Sequence, residues 1–399
     1  MIEVYSKTLD KAIKIDRIIG HIKGSNPGPT VVFFGGIHGN ENSGVFALYQ
    51  MISELQEKKE FIHGSIYAIA GNMKALENGA RYCSEDLNRL WSEDQVKNLE
   101  NGQVENLQDE KLEQQELFQL VKRIISKESG PFYFMDLHTT SSETIPFIVV
   151  NDSLLNRKFT EQLPVPMILG IEEFLDGPIL SYINELGYVS FGYEAGQHDD
   201  FASYQNQTAF IYLCLTYAEC IDRKEIDYFH YYEQLAKHSA TSKDIFEIVF
   251  RFRIHQGDTF EMRPGFVNFQ RVKKNHELAL RNGRKVLAKY DGRVFMPLYQ
   301  SQGNEGFFEI RKVHPFFLKL SAVLRKTKIG HILPYLPGIR WQSADHKAMV
   351  VNLKVAQLLA KPMLHLLGYR SKQVDKNRLV IKNREAASRT RDYTANWNS

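Results

Sequence analysis

Short, unbroken apolar runs alternate with segments of helical period through the first half of the chain. Val31-Val32-Phe33-Phe34 is β-branched and aromatic with no polar break, which is how a strand buried on both faces of a sheet reads. Residues 65–72 (SIYAIAGN), 132–140 (FYFMDLHTT), 144–150 (TIPFIVV) and 189–196 (VSFGYEAG) repeat that pattern. Between them, residues 43–56 and 114–129 space their apolar residues as one face of a helix, and Ser43 is placed to cap the first. The alternation predicts an α/β fold: a mixed, mostly parallel sheet with helices on both faces. The stretch from Trp91 to Glu116 is polar, acidic and rich in Gln and Asn, and is expected to be a weakly ordered surface excursion.

Near residue 240 the period changes to two. Short alternating strands with turns at Gln256-Gly257-Asp258, Asn282-Gly283 and Asp291-Gly292 predict a small all-β unit over residues 244–313, after a first domain at 1–240. From 314 to 399 come amphipathic pieces and a polar basic tail, read as a basic helical extension. This segment alters the charge picture. Between 311 and 399 there are 18 Lys and Arg against 4 Asp and Glu, whereas the whole chain has 50 against 47, so a basic end follows an acidic body. That end suits either the headgroup region of an anionic membrane, as a peripheral contact, or packing on the chain's own core or on a second copy in a homo-oligomer. Nucleic acid is not expected, because no recognition motif accompanies the charge and the acidic body opposes it.

Apolar content of 43% and charged content of 24% describe a globular chain, and 399 residues leave room for two or three domains. Three cysteines make no disulfide framework or CxxC metal spacing, the first residues carry no signal-peptide pattern, and no apolar run is long enough to cross a membrane. A cytoplasmic location is the expectation.

Chemistry concentrates where the apolar runs stop. Gly35 and Gly36 end the first, so His38 and Glu41 fall just past the carboxyl end of a central strand, where open α/β sheets bind ligands. His138 ends FYFMDLH at an equivalent place. Two histidines and one carboxylate with an open fourth position make a catalytic zinc set, since a structural site would close the shell with a fourth protein ligand. Asp136 shares the strand face of His138 and either orients that ligand or bonds to loop amides. Residues 78–91 bring Arg81, Asp86, Asn88 and Arg89 into one loop, where a planar guanidinium can grip a carboxylate and an asparagine can donate beside it. Glu194 ends VSFGYE, as a proton acceptor for water or as a salt-bridged strand-end carboxylate.

The order GGIHGNE, RYCSEDLNRLW, MDLHTTSS, GYEAGQ resembles the succinylglutamate desuccinylase and aspartoacylase family, within the wider zinc carboxypeptidase-like group, over roughly residues 31–197. The resemblance implies a zinc carboxypeptidase-like sheet and one Zn2+ per chain, held by His38, Glu41 and His138. It implies water activation by Glu194, oxyanion stabilisation by Arg81, and a substrate carboxylate held by Asn88 and Arg89. It further implies support of the loop by Asp86, and polar contacts from Thr139 and Thr140 beside the second zinc histidine. The expected reaction is removal of the acyl group from a small N-acyl amino acid, N-acylaspartate or N-succinylglutamate-like; a zinc carboxypeptidase acting on short peptides is the rival. The small β-unit is similar to the C-terminal domain that narrows the site entrance in the family, and Tyr290 and Tyr299 are its candidate substrate contacts. Its hairpin is also similar to biotinyl and lipoyl carriers, but Tyr290-Asp291-Gly292 stands where a carrier needs a lysine.

Overall fold

Alternate residues of the central strand enter different cores. In Asn26–Gly35, Val31 and Phe33 point into one apolar cluster and Val32 and Phe34 into another, all fully buried. A strand with no polar position therefore requires cover on both sides. Helices Ser43–Gln56 and Phe201–Tyr217 cover the first cluster, and Glu110–Lys127 and Ile179–Glu185 the second. The computed structural model describes residues 1–103, 107–342, 346–355, 361–375 and 377–393.

The large sheet has eleven strands and is mixed. At its centre Asn26–Gly35 runs parallel to both His63–Ala70 and Phe132–Thr140, and Phe132–Thr140 runs parallel to Val189–Gln197. Ile18–Lys23 closes one side antiparallel, while Phe147–Val150 pairs antiparallel with Val189–Gln197 on the other. Four parallel strands thus end on one edge, the edge where His38, His138 and Glu194 lie.

The sheet continues into residues 244–313. Ile245–Arg253 pairs parallel with Met167–Leu169 and antiparallel with Glu305–Lys312. A separate three-stranded sheet, Phe260–Met262, Glu277–Arg281 and Arg284–Leu287, forms its own cluster around Leu278 and Phe307. Asn282 and Gly283 take φ of 52° and 73°, the two left-handed residues that a tight hairpin turn demands.

Two expectations are corrected. The stretch after Trp91 is largely helical: Ser92 and Gln95 form a capping box for Glu93–Glu100, and Glu110 already opens the next helix. Capping and two buried apolar residues, Val96 and Leu99, stabilise a helix that composition alone conceals. Residues 104–106 of that stretch lie outside the described residues.

The basic segment after 314 is not simply helical. After helix Pro315–Lys326 it builds an antiparallel sheet of four strands, Ile339–Trp341, Ala348–Asn352, Arg378–Asn383 and Tyr369–Asp375, around a core with Met349, Val351 and Ile381. These strands are short and partly exposed, so their alternation is faint beside the leucine spacing around helix Lys361–Leu366. Leu318 and Leu324 of helix Pro315–Lys326 pack inward, whereas Phe316, Phe317 and Val323 are exposed. Among the described residues no helix is long and apolar enough to cross a membrane.

Candidate metal and catalytic centre

Gly36 turns the chain at the end of the central strand with φ +71°, and a Cβ there would lie 2.7 Å from the Leu76 side chain. The turn delivers His38 and Glu41 to the mouth of the sheet just before helix Ser43–Gln56. Phe132–Thr140 delivers His138, whose register partner on the next strand is Glu194.

The three ligand candidates meet. His38 Nδ1 lies 2.9 Å from Glu41 Oε1, and His138 Nδ1 lies 2.9 Å from Glu41 Oε2. One donor atom from each of the three falls within 4.8 Å of the others, and all three side chains are buried. Each imidazole is held from behind by a second carboxylate: His38 Nε2 is 3.1 Å from Asp86 Oδ1, and His138 Nε2 is 2.6 Å from Asp136 Oδ2. A carboxylate that accepts from Nε2–H leaves Nδ1 free to face the shared centre, which is the arrangement of metal-binding histidines. The donor set therefore fits a divalent cation. Without one, a proton competes for the same nitrogen: burial works against a charged His138, yet Asp136 and Glu41 hold its pKa well above the ordinary histidine value. Glu41 is held well below the carboxylate range, its two histidine neighbours outweighing burial.

Arg81 bridges Glu41 Oε1 at 3.1 Å and Asp86 Oδ2 at 3.5 Å, with its buried Nε unpartnered. The Thr139 N–H donates to Glu41 Oε2 at 3.1 Å and the Thr139 hydroxyl pairs with His198 Nδ1 at 2.7 Å, while the Thr140 hydroxyl donates to the Ser142 carbonyl. Asn88 accepts at Oδ1 from the Ile179 N–H, and Arg89 donates to the Asn88 carbonyl at 2.8 Å. Glu194 is buried with Oε2 unpartnered. Burial raises its pKa; His138 and Arg81 pull downward, Glu41 and Asp136 upward. A cavity of about 150 Å³ opens onto His38, Glu41, His138, Arg81, Arg89 and Glu194 together.

Three residues of the site escaped the sequence reading. Glu110 accepts from the consecutive N–H groups of Cys83, Ser84 and Glu85, at 2.6, 3.0 and 3.2 Å, and so pins the loop that carries Asp86, Asn88 and Arg89. Glu305 pairs with Arg89 at 3.2 Å, and Gln300 accepts from Asn40 at 3.3 Å on the cavity wall. An acidic helix start marks Glu110; no local pattern marks the other two. Neither candidate tyrosine is among the described lining residues: Tyr299 spends its hydroxyl on the Arg263 carbonyl and Phe266 N–H, and Tyr290 is exposed.

Residues 27–210 match the model of the succinylglutamate desuccinylase/aspartoacylase catalytic domain. A succinylglutamate desuccinylase of Photorhabdus laumondii is 32% identical over 75 residues, 19% of this chain and 22% of that protein. A probable aspartoacylase of Nostoc is 39% identical over 70 residues, 17% of this chain and 23% of that protein. The chain thus spans less than a quarter of the length of these curated relatives. The solved succinylglutamate desuccinylase of Vibrio cholerae superposes with a TM-score of 0.54 at 15% identity, covering 78% of this chain and 90% of that one, a likeness of fold.

Proposed function

We propose, taking residues 27–210 as a succinylglutamate desuccinylase/aspartoacylase catalytic domain, that this chain is a zinc-dependent amidohydrolase that releases the acyl group of an N-acyl amino acid. The observation that carries the reading is the convergence of His38, Glu41 and His138 within 4.8 Å, in one cavity with the unpartnered carboxylate of Glu194. His38, Glu41 and His138 would hold the ion, with Asp86 and Asp136 fixing the two imidazoles. When bound, zinc would supply Lewis acidity toward the scissile carbonyl and toward water.

The remaining work belongs to side chains. Glu194 accepts a proton from the attacking water as the new C–O bond forms, then returns it to the nitrogen as the C–N bond breaks, giving a carboxylic acid and a free amine. Burial suits this carboxyl to that exchange, because a raised pKa makes the protonated state accessible. Arg81 offers its guanidinium to the developing oxyanion, a contribution usually worth on the order of 3 kcal/mol per well-placed donor. Asn88 and Arg89 anchor the substrate carboxylate, with Thr139 and Thr140 as polar contacts. Met296, Pro297, Leu298, Gln300 and Gly303 wall the cavity from the β-unit, which favours a small acylated amino acid over a long peptide.

Zinc titration of the metal-stripped chain tests the ligand set. One equivalent should bind the parent, and His38→Ala should lose that binding; undiminished binding by His38→Ala would remove this centre from the mechanism.

A further inference from the structure

The cavity has two unlike walls. One is the polar centre already described. The other carries Ile171, Leu175, Leu180, Met296, Leu298 and Phe308, of which Ile171, Leu175, Met296 and Phe308 belong to the apolar cluster beneath the site. Cations are scarce: among the described lining residues the guanidiniums are Arg81 and Arg89, with no lysine. Arg81 is engaged by Glu41 and Asp86, and the donors left to it are those assigned above to the oxyanion. Arg89 is shared between the Asn88 carbonyl and Glu305, and the other Glu305 oxygen lies 4.0 Å from Arg251.

A guanidinium has five N–H donors, so Arg89 can take one substrate carboxylate beside Glu305. A second carboxylate would meet the negative Glu305 and an apolar wall with no cation to pair with, and an unpaired charge out of water is strongly disfavoured. The free volume of about 150 Å³ covers the whole cavity, polar centre included, which suits a compact substrate and not a long chain.

We propose that this site selects an N-acyl amino acid bearing a single carboxylate and a compact uncharged apolar group, and that Glu305 excludes a second carboxylate. The preference rests on the deacylase reading for its chemistry, and it departs from the N-acylaspartate and N-succinylglutamate expectation. The apolar group sits at either the acyl end or the amino-acid end.

The test assays the zinc-loaded full chain on N-hexanoylglycine, N-acetylphenylalanine, N-acetylaspartate and N-succinylglutamate, and measures binding of the same four by calorimetry. At least one of the first two should exceed both polyanions in kcat/KM by tenfold or more, and which one does so identifies the end that enters the apolar wall. Glu305→Gln should narrow that ratio at least tenfold by gaining activity on the polyanions. A parent that prefers a polyanion, or a ratio unmoved in Glu305→Gln, overturns the proposal while leaving the deacylase reading in place. Hydrolysis of none of the four sinks the deacylase reading instead, and binding then decides: tighter monoanions, with polyanions gaining in Glu305→Gln, support the selectivity, and an equal or reversed order overturns it.

Discussion

Glu194 keeps a buried carboxylate oxygen with no hydrogen-bond partner, an arrangement that costs stability and persists where the group has work to do. Glu194→Gln preserves size and removes the proton acceptor. It should retain zinc and lower kcat by about 10²–10⁴-fold, read by metal analysis beside initial rates; near-parental turnover would take Glu194 out of the reaction. The placement of His38, His138 and Glu194 at one sheet edge was legible because each stands where an apolar run stops, so predicting the strands also places the candidate site. Glu305 was not, since its partner Arg89 is 216 positions away and nothing near either residue encodes the pairing.

The loop from Arg81 to Arg89, proposed above to hold the substrate carboxylate, has little regular structure and borrows its shape from Glu110. Burial alone would raise the Glu110 carboxyl, but the Asn72 amide and the loop N–H groups hold it down to about 2. A carboxyl depressed on folding stabilises fully above its unfolded value, near 4.5, and that contribution is lost as pH falls through the folded value. Melting temperatures from pH 5 to pH 2 should therefore fall more steeply for the parent than for Glu110→Gln, which should already be less stable at pH 5. Parallel curves would contradict the anchoring role. At this scale the buried strands were readable from unbroken apolar runs. The helix Glu93–Glu100 and the C-terminal sheet were not, because each buries only a few residues of a polar segment and depends on capping or on a partner strand far along the chain.

Across the whole molecule, the C-terminal segment is joined to the catalytic part by buried ion pairs. Arg384 binds Glu172 at 2.8 Å and Glu173 at 2.7 Å, and Arg325 binds Asp152 at 2.7 Å, all nearly inaccessible to water. Glu172 and Glu173 directly follow Ile171, which lines the cavity, so the junction braces a wall of the site from behind. Arg384→Met would strand Glu172, while Glu173 keeps His365 and Ser371, and should cost about 3–5 kcal/mol in urea unfolding, with a higher KM as the wall loosens. An unchanged midpoint would show that the segment docks by other contacts. The basic charge that set this segment apart in sequence is thus partly spent inside the fold, on acids of the body.

The most direct test of the account strips the chain of metal, restores zinc, and measures free amino acid released from a set of N-acyl amino acids alongside bound zinc. Release should be absent without metal and return in proportion to one zinc per chain. Stoichiometric zinc binding with every N-acyl amino acid left intact would contradict it.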